Sequence, residues 1–229
     1  MNSKSKPKQF IELHGCPIIV YTLKHFQQHE EIDGIVVVCI EEWIDYLKEL
    51  LDEYNLNKVV AVVPGGNTGQ ESIFKGISKA KELYDDDSIV LIHDGVRPLI
   101  NEQVISDNIA TAKKYGSAIT TSETIETIVL KDNENKVKKV TDRNLCRTAK
   151  APQSFILNDI YQAHLLAQKE NRADMIDSAS LMEWFGKELY MVDGPITNIK
   201  ITTALDFYLF RAILDAKEDA QIYGFSDLK

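Results

Sequence analysis

The middle of the chain reads VLIHDGVRP over residues 90–98. The apolar run Ile89–Ile92 shows no alternation with polar positions, which predicts a strand buried on both faces, as in parallel sheets. It ends abruptly at His93-Asp94-Gly95, and ligands of open α/β sheets bind beyond the carboxyl ends of the strands. A carboxylate beside a glycine suits a metal or a phosphate there, and Arg97 adds the opposite charge. An ordinary polar turn after a buried strand is the alternative, and this stretch alone does not decide between the two.

Composition excludes several classes of protein. The chain has 229 residues, 44% of them hydrophobic and 27% charged, which is ordinary for a globular protein. A net charge of −9 argues against a nucleic-acid partner, although a local basic pocket for a small anion is compatible with it. Cys16, Cys39 and Cys146 lack the spacing of a zinc site or a disulfide framework. The sequence shows no long apolar run and no signal peptide, so we expect a cytoplasmic protein without a membrane partner.

Strands and helices alternate along most of the chain. Short runs rich in Val and Ile alternate with segments whose apolar residues recur at helical spacing. With short connections, this predicts one α/β domain over residues 1–229, with a mostly parallel, Rossmann-like sheet and helices on both faces. The predicted strands cover 35–40, 59–63, 89–92 and 189–192, and the predicted helices begin at Pro17 and cover 41–54, the stretch up to Leu83, 102–115, 158–168, 178–185 and 205–216.

The segment after Ala118 breaks this alternation. Residues 119–130 are rich in Thr and Ile, and a polar cluster over 131–136 precedes a second extended run over 137–141, which predicts a β-hairpin. The hairpin has little apolar surface of its own and is too small to be a domain. We therefore predict that residues 121–147 form an extended arm that completes a homodimer, with a solvated flap as the alternative.

Other candidates for chemistry are weak when each is taken alone. The loop Gly65-Gly66-x-x-Gly, between a strand and a helix, offers backbone N–H groups to a flat or phosphorylated ligand, but its spacing fits neither a dinucleotide-binding loop nor a P-loop. A plain flexible loop is the alternative. Lys8 and Lys200 are by themselves ordinary solvated charges, and Arg143 is by itself a surface ion pair.

Several short motifs form a recognisable set when they are taken in order. They are PKQF at 7–10, GG at 65–66, Ser72, HDGVRP at 93–98, DRN at 142–144, APQSF at 151–155 and NIKIT at 198–202. With these motifs, the chain resembles the cytidylyltransferases that act on polyol phosphates, namely the methylerythritol-phosphate and ribitol-phosphate enzymes, from Pro7 to about Ala216. The segments that begin at Cys16 and Asp107 are closer to the ribitol-phosphate branch.

The resemblance implies the fold of the nucleotide-diphospho-sugar transferases and the transfer of CMP from CTP to an alditol phosphate. Ribitol 5-phosphate is the favoured acceptor, as for a teichoic acid or capsule precursor, and pyrophosphate is released. An oxygen of the polyol phosphate attacks the α-phosphorus of CTP, so the protein must hold two polyanions and spread the developing charge. Methylerythritol phosphate, for isoprenoid synthesis, is the alternative acceptor. A catalytically impaired nucleotide-binding relative and a transferase for UTP or another nucleotide are the alternatives of other classes.

The resemblance also implies roles for individual residues. Lys8 stabilises the transition state, Arg143 and Lys200 position the incoming phosphate, and Asp94 binds Mg²⁺. If the arm crosses to the neighbouring subunit, Thr127 reaches that subunit's site together with Arg143, and the dimer is needed for catalysis. The implied cytidine pocket comprises Gly65, Gly66, Asn67, Ser72 and Gly95, and the implied substrate site comprises Asp94, Arg97, Thr127, Arg143 and Lys200.

Three features depart from the family pattern. The family begins with a strand and a Gly-rich loop that holds the triphosphate, and the sequence before Pro17 contains neither. We therefore expect the natural start about 15–20 residues upstream, from one strand plus one loop, and low stability or slow turnover for the chain as written. Ala151 and Ile176 stand where both branches commonly carry Thr, so the choice of polyol stays open.

Overall fold

The computed structural model describes residues 6–172 and 174–223. Single turns of 3-10 helix cover Lys8–Phe10, Glu41–Trp43 and Arg143–Leu145. The strands are β1 Glu12–Leu13, β2 Cys16–Pro17, β3 Ile35–Cys39, β4 Val59–Pro64, β5 Ile89–Ile92, β6 Ser117–Glu123, β7 Val129–Lys131, β8 Val137–Val140, β9 Arg147–Ile156 and β10 Met191–Asp193. The helices are α1 Ile18–Gln28, α2 Ile44–Glu53, α3 Gly69–Leu83, α4 Glu102–Tyr115, α5 Leu157–Lys169, α6 Ser178–Trp184 and α7 Ala204–Tyr223.

The larger sheet contains four strands in the order β10-β6-β9-β5. β10 is parallel to β6, and β9 is antiparallel to both β6 and β5, so β5, β6 and β10 all run in one direction. The strands β3 and β4 form a separate parallel pair. The predicted α/β class, with its mostly parallel strands, is confirmed, and β9 is the exception.

The sequence patterns missed β9, which is ten residues long. Pro152 lies in its middle and has no N–H to donate, so it argues against a strand. The structure accommodates it at an irregularity, since the register with β6 shifts between Ile119 and Thr121. The pairing with β5 involves Gln153–Ile156 only, so no partner on that side requires an N–H from Pro152.

The β5 strand differs from its predicted environment. All four of its residues are half-buried rather than buried on both faces. Its only sheet partner among the described residues is β9, and the only partner of β3 is β4. One edge of each strand therefore carries backbone groups outside any sheet pairing in the described part of the chain.

Five apolar clusters occur among the described residues, and the two largest pack helices onto the strands. One joins α3, α5 and α6 to the larger sheet around Phe155, Ile160 and Met182, all fully buried. The other joins α1 and α2 to β3 around Phe10 and Leu47. Within the described residues, no helix is long and apolar enough to cross a membrane.

The predicted hairpin forms, with shorter bounds than the predicted arm, and its role as a dimerisation arm stays a prediction. Thr121–Glu123 belongs to β6 and Arg147 begins β9, so the part that leaves the sheet is 124–146. Its strands β7 and β8 pair with each other antiparallel and with no other strand in the described chain. The apolar side chains of Ile125, Val137 and Val140 are about 61–62% exposed, and those of Val129 and Leu130 are 50% exposed. Whether a second subunit covers them stays a prediction.

The start of the chain matches its expected irregularity only in part. Met1–Ser5 lie outside the described residues. Lys8–Phe10 form a single 3-10 turn, and β1 and β2 form a short antiparallel hairpin that periodicity did not predict. The helix expected from Pro17 begins one residue later, at Ile18, with Pro17 at its N-cap position.

Candidate active site

An ion-pair cluster forms where β5 ends. One oxygen of the Asp94 carboxylate lies 2.6 Å from Nζ of Lys200, and the other accepts a hydrogen bond of 2.8 Å from Nε of Arg97. The backbone N–H of Arg97 also donates to the Asp94 carbonyl at 3.0 Å, which closes the turn. The structure thus brings together three of the residues predicted for the substrate site.

The segment that carries Lys200 is tied to this turn by its backbone. Ile201 donates its N–H to the Val96 carbonyl at 2.9 Å, and Nη1 of Arg97 donates to the Asn198 carbonyl at 2.9 Å. Residues about 100 positions apart in the chain are therefore fixed against each other by one backbone–backbone and one side-chain–backbone hydrogen bond. This explains why Lys200, although half-exposed, has a defined partner.

Lys150 is part of the same cluster, and sequence reasoning missed it. Its Nζ donates to the carbonyls of Ile196 at 3.0 Å and Asn198 at 3.3 Å, and the residue is only 9% exposed. The Asn198 side chain, fully buried, donates to the Ala151 carbonyl at 2.8 Å. A lone Lys in a strand gives no motif signal, so only the tertiary structure reveals this role.

Positive charge dominates the cluster. Burial alone raises the pKa of Asp94, but the hydrogen bonds from Lys200 and Arg97 outweigh it and leave this pKa below its ordinary value. Burial, with the nearby charge of Arg97, lowers the pKa of Lys150. Among the described residues, Asp94 is the one carboxylate that pairs with Arg97, Lys150 or Lys200. A site with this balance attracts an anion such as a phosphate.

His93 follows β5 directly and faces the same turn. Its Nε2 lies 3.1 Å from the Arg97 carbonyl, and its ring packs against Phe26 at 5.1 Å between centroids. Its Nδ1 is buried and has no hydrogen-bond partner in the described part of the structure. Burial is the largest cause that lowers the pKa of His93, to about 4, so the ring is neutral near pH 7.

The glycine loop after β4 closes on the start of α3. Gly66 donates its N–H to Oγ of Ser72 at 2.9 Å, and Asn67 donates its N–H to Oε2 of Glu71 at 2.7 Å. A Cβ on Gly66 would collide with the Glu71 side chain, so a larger residue here would displace Glu71 from its hydrogen bond to Asn67. The loop therefore has the close backbone approach expected of a ligand-binding loop, with two of its amides bonded to its own side chains.

The predicted cytidine pocket is brought together in part. Gly65, Gly66 and Asn67 lie in the loop, Ser72 lies in the first turn of α3, and Ser72 lines the same cleft as Gly95 on the β5 side. The Gly95 carbonyl accepts from the Thr22 hydroxyl at 3.1 Å, which ties this turn to α1. These residues are consistent with one pocket. That this pocket binds cytidine stays a prediction.

Three predicted residues remain apart from the cluster in this chain. Lys8 is exposed in the 3-10 turn near the start. Thr127 and Arg143 lie on the arm, also exposed, and Nη1 of Arg143 donates to the Ile125 carbonyl at 2.9 Å. No contact within the described structure joins any of the three to Asp94, so their roles stay predictions.

The residues fit a metal carried by the nucleotide better than one held by the protein alone. Within 6–172 and 174–223 there is no group of three or more His, Cys, Asp or Glu side chains that could hold an ion. Both oxygens of Asp94 already contact cations. Mg²⁺ in nucleotide sites is commonly held by one or two carboxylates plus the phosphates. Each oxygen of Asp94 has a second lone pair, so the carboxylate would be able to supply one such ligand beside its contacts with Lys200 and Arg97.

The two positions that lack the expected Thr have different surroundings. Ala151 is 7% exposed, beside Asn198 and Lys150, so the missing hydroxyl is next to the cluster. Ile176 is 93% exposed in the segment before α6. Only the first of these substitutions changes a buried part of the site.

Comparison with known proteins gives a family. Residues 1–216 match the family described as IspD, 2-C-methyl-D-erythritol 4-phosphate cytidylyltransferase. The chain is 53% identical over 224 residues, 98% of this chain and 94% of that protein, to ribitol-5-phosphate cytidylyltransferase of Vibrio parahaemolyticus. The enzyme of the same name from Streptococcus agalactiae serotype III is 54% identical with the same coverage. A 2-C-methyl-D-erythritol 4-phosphate cytidylyltransferase of Clostridium botulinum is 37% identical over 94% of this chain and 92% of its own.

Solved structures agree with the sequence relatives. The 4-diphosphocytidyl-2C-methyl-D-erythritol synthase of Anaerococcus prevotii has a TM-score of 0.80 at 28% identity, over 91% of this chain and 90% of its own. The 2-C-methyl-D-erythritol 4-phosphate cytidylyltransferase of Francisella tularensis has a TM-score of 0.77 at 29% identity, over 91% and 93%. The predicted resemblance is confirmed: the chain belongs to the IspD family of cytidylyltransferases.

Proposed function

We propose that the protein transfers CMP from CTP to ribitol 5-phosphate and releases pyrophosphate. The observation that carries the proposal is identity of 53–54% over 98% of the chain with enzymes named for ribitol 5-phosphate, against 37% with an enzyme named for methylerythritol phosphate. The cation cluster around Asp94 supports the chemistry, because it lies at the end of β5, where open α/β sheets bind ligands.

The cluster suits an acceptor phosphate. The attacking phosphate oxygen and the α-phosphorus of CTP both carry negative charge, and this charge spreads over more oxygens in the transition state. Lys200 and Arg97 already share Asp94, so an arriving phosphate exchanges one anionic partner for another while the cations stay in position. Donors that are already in position stabilise the transition state more than donors that must first be brought together.

Mg²⁺ belongs to the proposal. Bound to the phosphates of CTP, it would neutralise the charge of the leaving pyrophosphate. Asp94 is the residue of the cluster that can contribute a carboxylate oxygen. Lys200, which lies beside that carboxylate, would contact the acceptor phosphate.

A homodimer through the arm completes the proposal. The exposed apolar side chains of the arm 124–146 favour a covered surface, because a two-stranded hairpin alone is marginally stable in water. A second subunit would supply this cover, and its own site would receive Thr127 and Arg143. The site would then combine the cluster of one chain with the arm of the other.

Pyrophosphate release tests the activity. The protein is incubated with Mg²⁺, each of CTP, UTP, ATP and GTP, and each of ribitol 5-phosphate, methylerythritol 4-phosphate and a panel of other alditol phosphates. Turnover with CTP and ribitol 5-phosphate supports the proposal. Preference for methylerythritol phosphate assigns the other branch, and preference for UTP assigns another class of transferase. Nucleotide binding without turnover for any pair identifies an impaired relative.

A further inference from the structure

The strand β9 bulges where it passes the end of β5. Between two of its pairs with β6, β9 has three residues, 150–152, and β6 has one, Thr120; the flanking pairs are Ile119–Gln153 and Thr121–Ala149. Because Gln153 pairs with Ile92, the last residue of β5, the bulge lies just beyond the carboxyl end of that strand. Bulges beside active sites commonly redirect a side chain. The residue redirected here is Lys150, which binds the carbonyls before Lys200.

The side chain of Thr120 holds the bulge from the opposite strand. Its Oγ1 donates a hydrogen bond of 2.7 Å to the Pro152 carbonyl and accepts one of 2.8 Å from Nδ2 of Asn108. A bulge interrupts the ladder of backbone hydrogen bonds, so groups within it need other partners. The hydroxyl of Thr120 supplies such a partner at the point where the backbone of β6 does not.

Asn108, on α4, connects this contact to the regular part of β9. Its Nδ2 also donates to the Val104 carbonyl at 2.8 Å, and its Oδ1 accepts from Oγ of Ser154 at 3.0 Å. Asn108, Thr120 and Ser154 are all 0% exposed. A buried polar network in which each side chain has its partners fixes one geometry, because any displacement leaves a polar group unpaired. The bulge is therefore held from α4, from β6 and from β9 itself.

The methyl group of Thr120 contacts a second part of the site. A Cβ on Gly194 would collide with Cγ2 of Thr120, so the backbone of Gly194 packs directly on this methyl group. Gly194 follows β10 and begins the segment that leads to Lys200, and its N–H donates to the Thr121 carbonyl at 2.8 Å. One side chain thus touches both the bulge that carries Lys150 and the segment whose carbonyls Lys150 binds.

We propose that Thr120 is a positioning residue for the acceptor phosphate, which places Lys150 through the bulge and Lys200 through the segment from Gly194. Thr120 is fully buried, so it acts on a substrate only through these lysines. The link to the acceptor phosphate rests on the proposed function, whereas the placement of Lys150 does not. The simpler alternative is a threonine that only stabilises the sheet, and its loss would leave both lysines in place.

Three variants separate positioning from stability. Thr120→Val keeps the shape of the side chain but leaves the Pro152 carbonyl and one N–H of Asn108 without their partner. Thr120→Ser keeps the hydroxyl and removes the methyl group. Ser117→Ala is the matched control, because Ser117 is also on β6, is 1% exposed and donates to the Glu188 carbonyl at 2.8 Å, at the opposite end of the strand. Circular dichroism establishes that each variant is folded.

The first measurement needs no substrate. The folded proteins are treated with an amine-acylating reagent, and mass spectrometry after digestion gives the acylation rate of Lys150, which is 9% exposed in the intact site. Thr120→Val should raise this rate roughly threefold or more, since a loosened bulge exposes the amine more often, while Thr120→Ser and Ser117→Ala should stay within about twofold of the wild type. An unchanged rate in folded Thr120→Val, or an equal rise in Ser117→Ala, would overturn the proposal.

The second measurement is the division of the kinetic effect between the two substrates. With CTP and ribitol 5-phosphate, Thr120→Val should raise the KM for the polyol phosphate roughly fivefold and the KM for CTP by less than about twofold, because the misplaced groups face the acceptor. Thr120→Ser should recover most of this loss. An equal rise in both KM values would contradict the positioning role. If Thr120→Val does not fold, Ser154→Ala, which removes the donor to Asn108, is judged by the same two measurements. Absence of turnover with every alditol phosphate would refute the proposed function, and the acylation rates would still decide whether Thr120 places Lys150.

Discussion

The cluster around Asp94 and the arm 124–146 are held in opposite ways. In the cluster, Lys200 and Arg97 bind Asp94, and Lys150 binds carbonyls of the segment before Lys200, so three parts of one chain fix each other. The strands of the arm pair only with each other among the described residues. The cluster is therefore fixed by contacts within one chain, whereas Thr127 and Arg143, which we propose for the other side of the substrate site, lie on a hairpin that pairs with no other strand of the described chain.

The largest effect is expected from removing one cation at a time, either from the cluster around Asp94 or from the arm. Lys200→Ala and Arg143→Ala should each lower kcat/KM for ribitol 5-phosphate by roughly 10²–10³-fold, because each removes a cation that meets developing charge. If the two halves come from different subunits, an equimolar mixture that exchanges subunits should regain about a quarter of the wild-type activity, since half of the dimers are mixed and each carries one intact site. Turnover of the mixture, measured beside each variant alone, distinguishes the cases. A mixture no more active than its components would place both residues in one chain's site.

The next effect concerns the arm's surface. Deleting 131–136 and closing β7 to β8 with a two-residue turn should weaken dimerisation roughly 30-fold, about 2 kcal/mol, as expected when an interface loses a main anchor. Val137→Asp should act in the same direction. Leu83→Asp, at a 45% exposed position outside the arm, is the matched control. Sedimentation equilibrium measures the constants, and a wild-type protein that is monomeric and fully active would contradict the prediction.

A smaller effect tests the support within the cluster. Lys150→Met keeps most of the apolar stem but removes the donor to the Ile196 and Asn198 carbonyls. The segment that carries Lys200 should then shift, and the KM for the polyol phosphate should rise about tenfold, since small misplacements of binding groups are costly. The KM for CTP should change less. Lys150→Arg, which keeps a donor, should recover part of the loss, and an equal rise in both KM values would argue against this positioning role.

The smallest effect is expected from a histidine outside the cluster, and it concerns the pH dependence of stability rather than turnover. Burial lowers the pKa of His164 to about 4, below its ordinary value, so the folded state favours the neutral ring. Its contribution to stability is complete above the ordinary pKa of about 6.5 and is lost as the pH falls toward 4. His164→Phe should flatten this loss by on the order of 1 kcal/mol per pH unit within that window. Urea unfolding between pH 4 and 7 measures it, with exposed His14→Asn as control. If the unfolding free energy of His164→Phe changes with pH as steeply as that of the wild type, His164 does not cause the loss of stability.

Sequence patterns predicted elements well where the chain carries its own boundary signals. The helix α4 was predicted at both ends, because Asn101 caps its start and Gly116, with a φ of 86°, ends it. The strand β5 was likewise predicted in full. The strand β9 was missed because Pro152 contradicts a strand locally, and the irregular register that tolerates Pro152 exists only after β6 has docked.

The residues of the site likewise divide into those that sequence motifs predicted and those that the motifs missed. Asp94, Arg97 and Lys200 were found because they stand in motifs, and the structure joins them. Lys150 has no motif, and its importance comes from carbonyls 46 and 48 positions away in the chain. The arm's contribution was not decided by either the sequence or the single chain, because in the proposed dimer it depends on a surface of another molecule.

The internal hydrogen bonds of the glycine loop affect which ligands can bind there. Its amides at Gly66 and Asn67 are occupied by Ser72 and Glu71, so a ligand gains only the difference between new hydrogen bonds and those it displaces. Glu71 is itself paired with Lys75, whose Nζ lies 3.6 Å from Oε1 of Glu71 and also donates to the Gly65 carbonyl. If the loop binds a nucleotide as proposed, we expect bare phosphate and pyrophosphate to bind weakly there, because they have no further groups that offset the displaced hydrogen bonds.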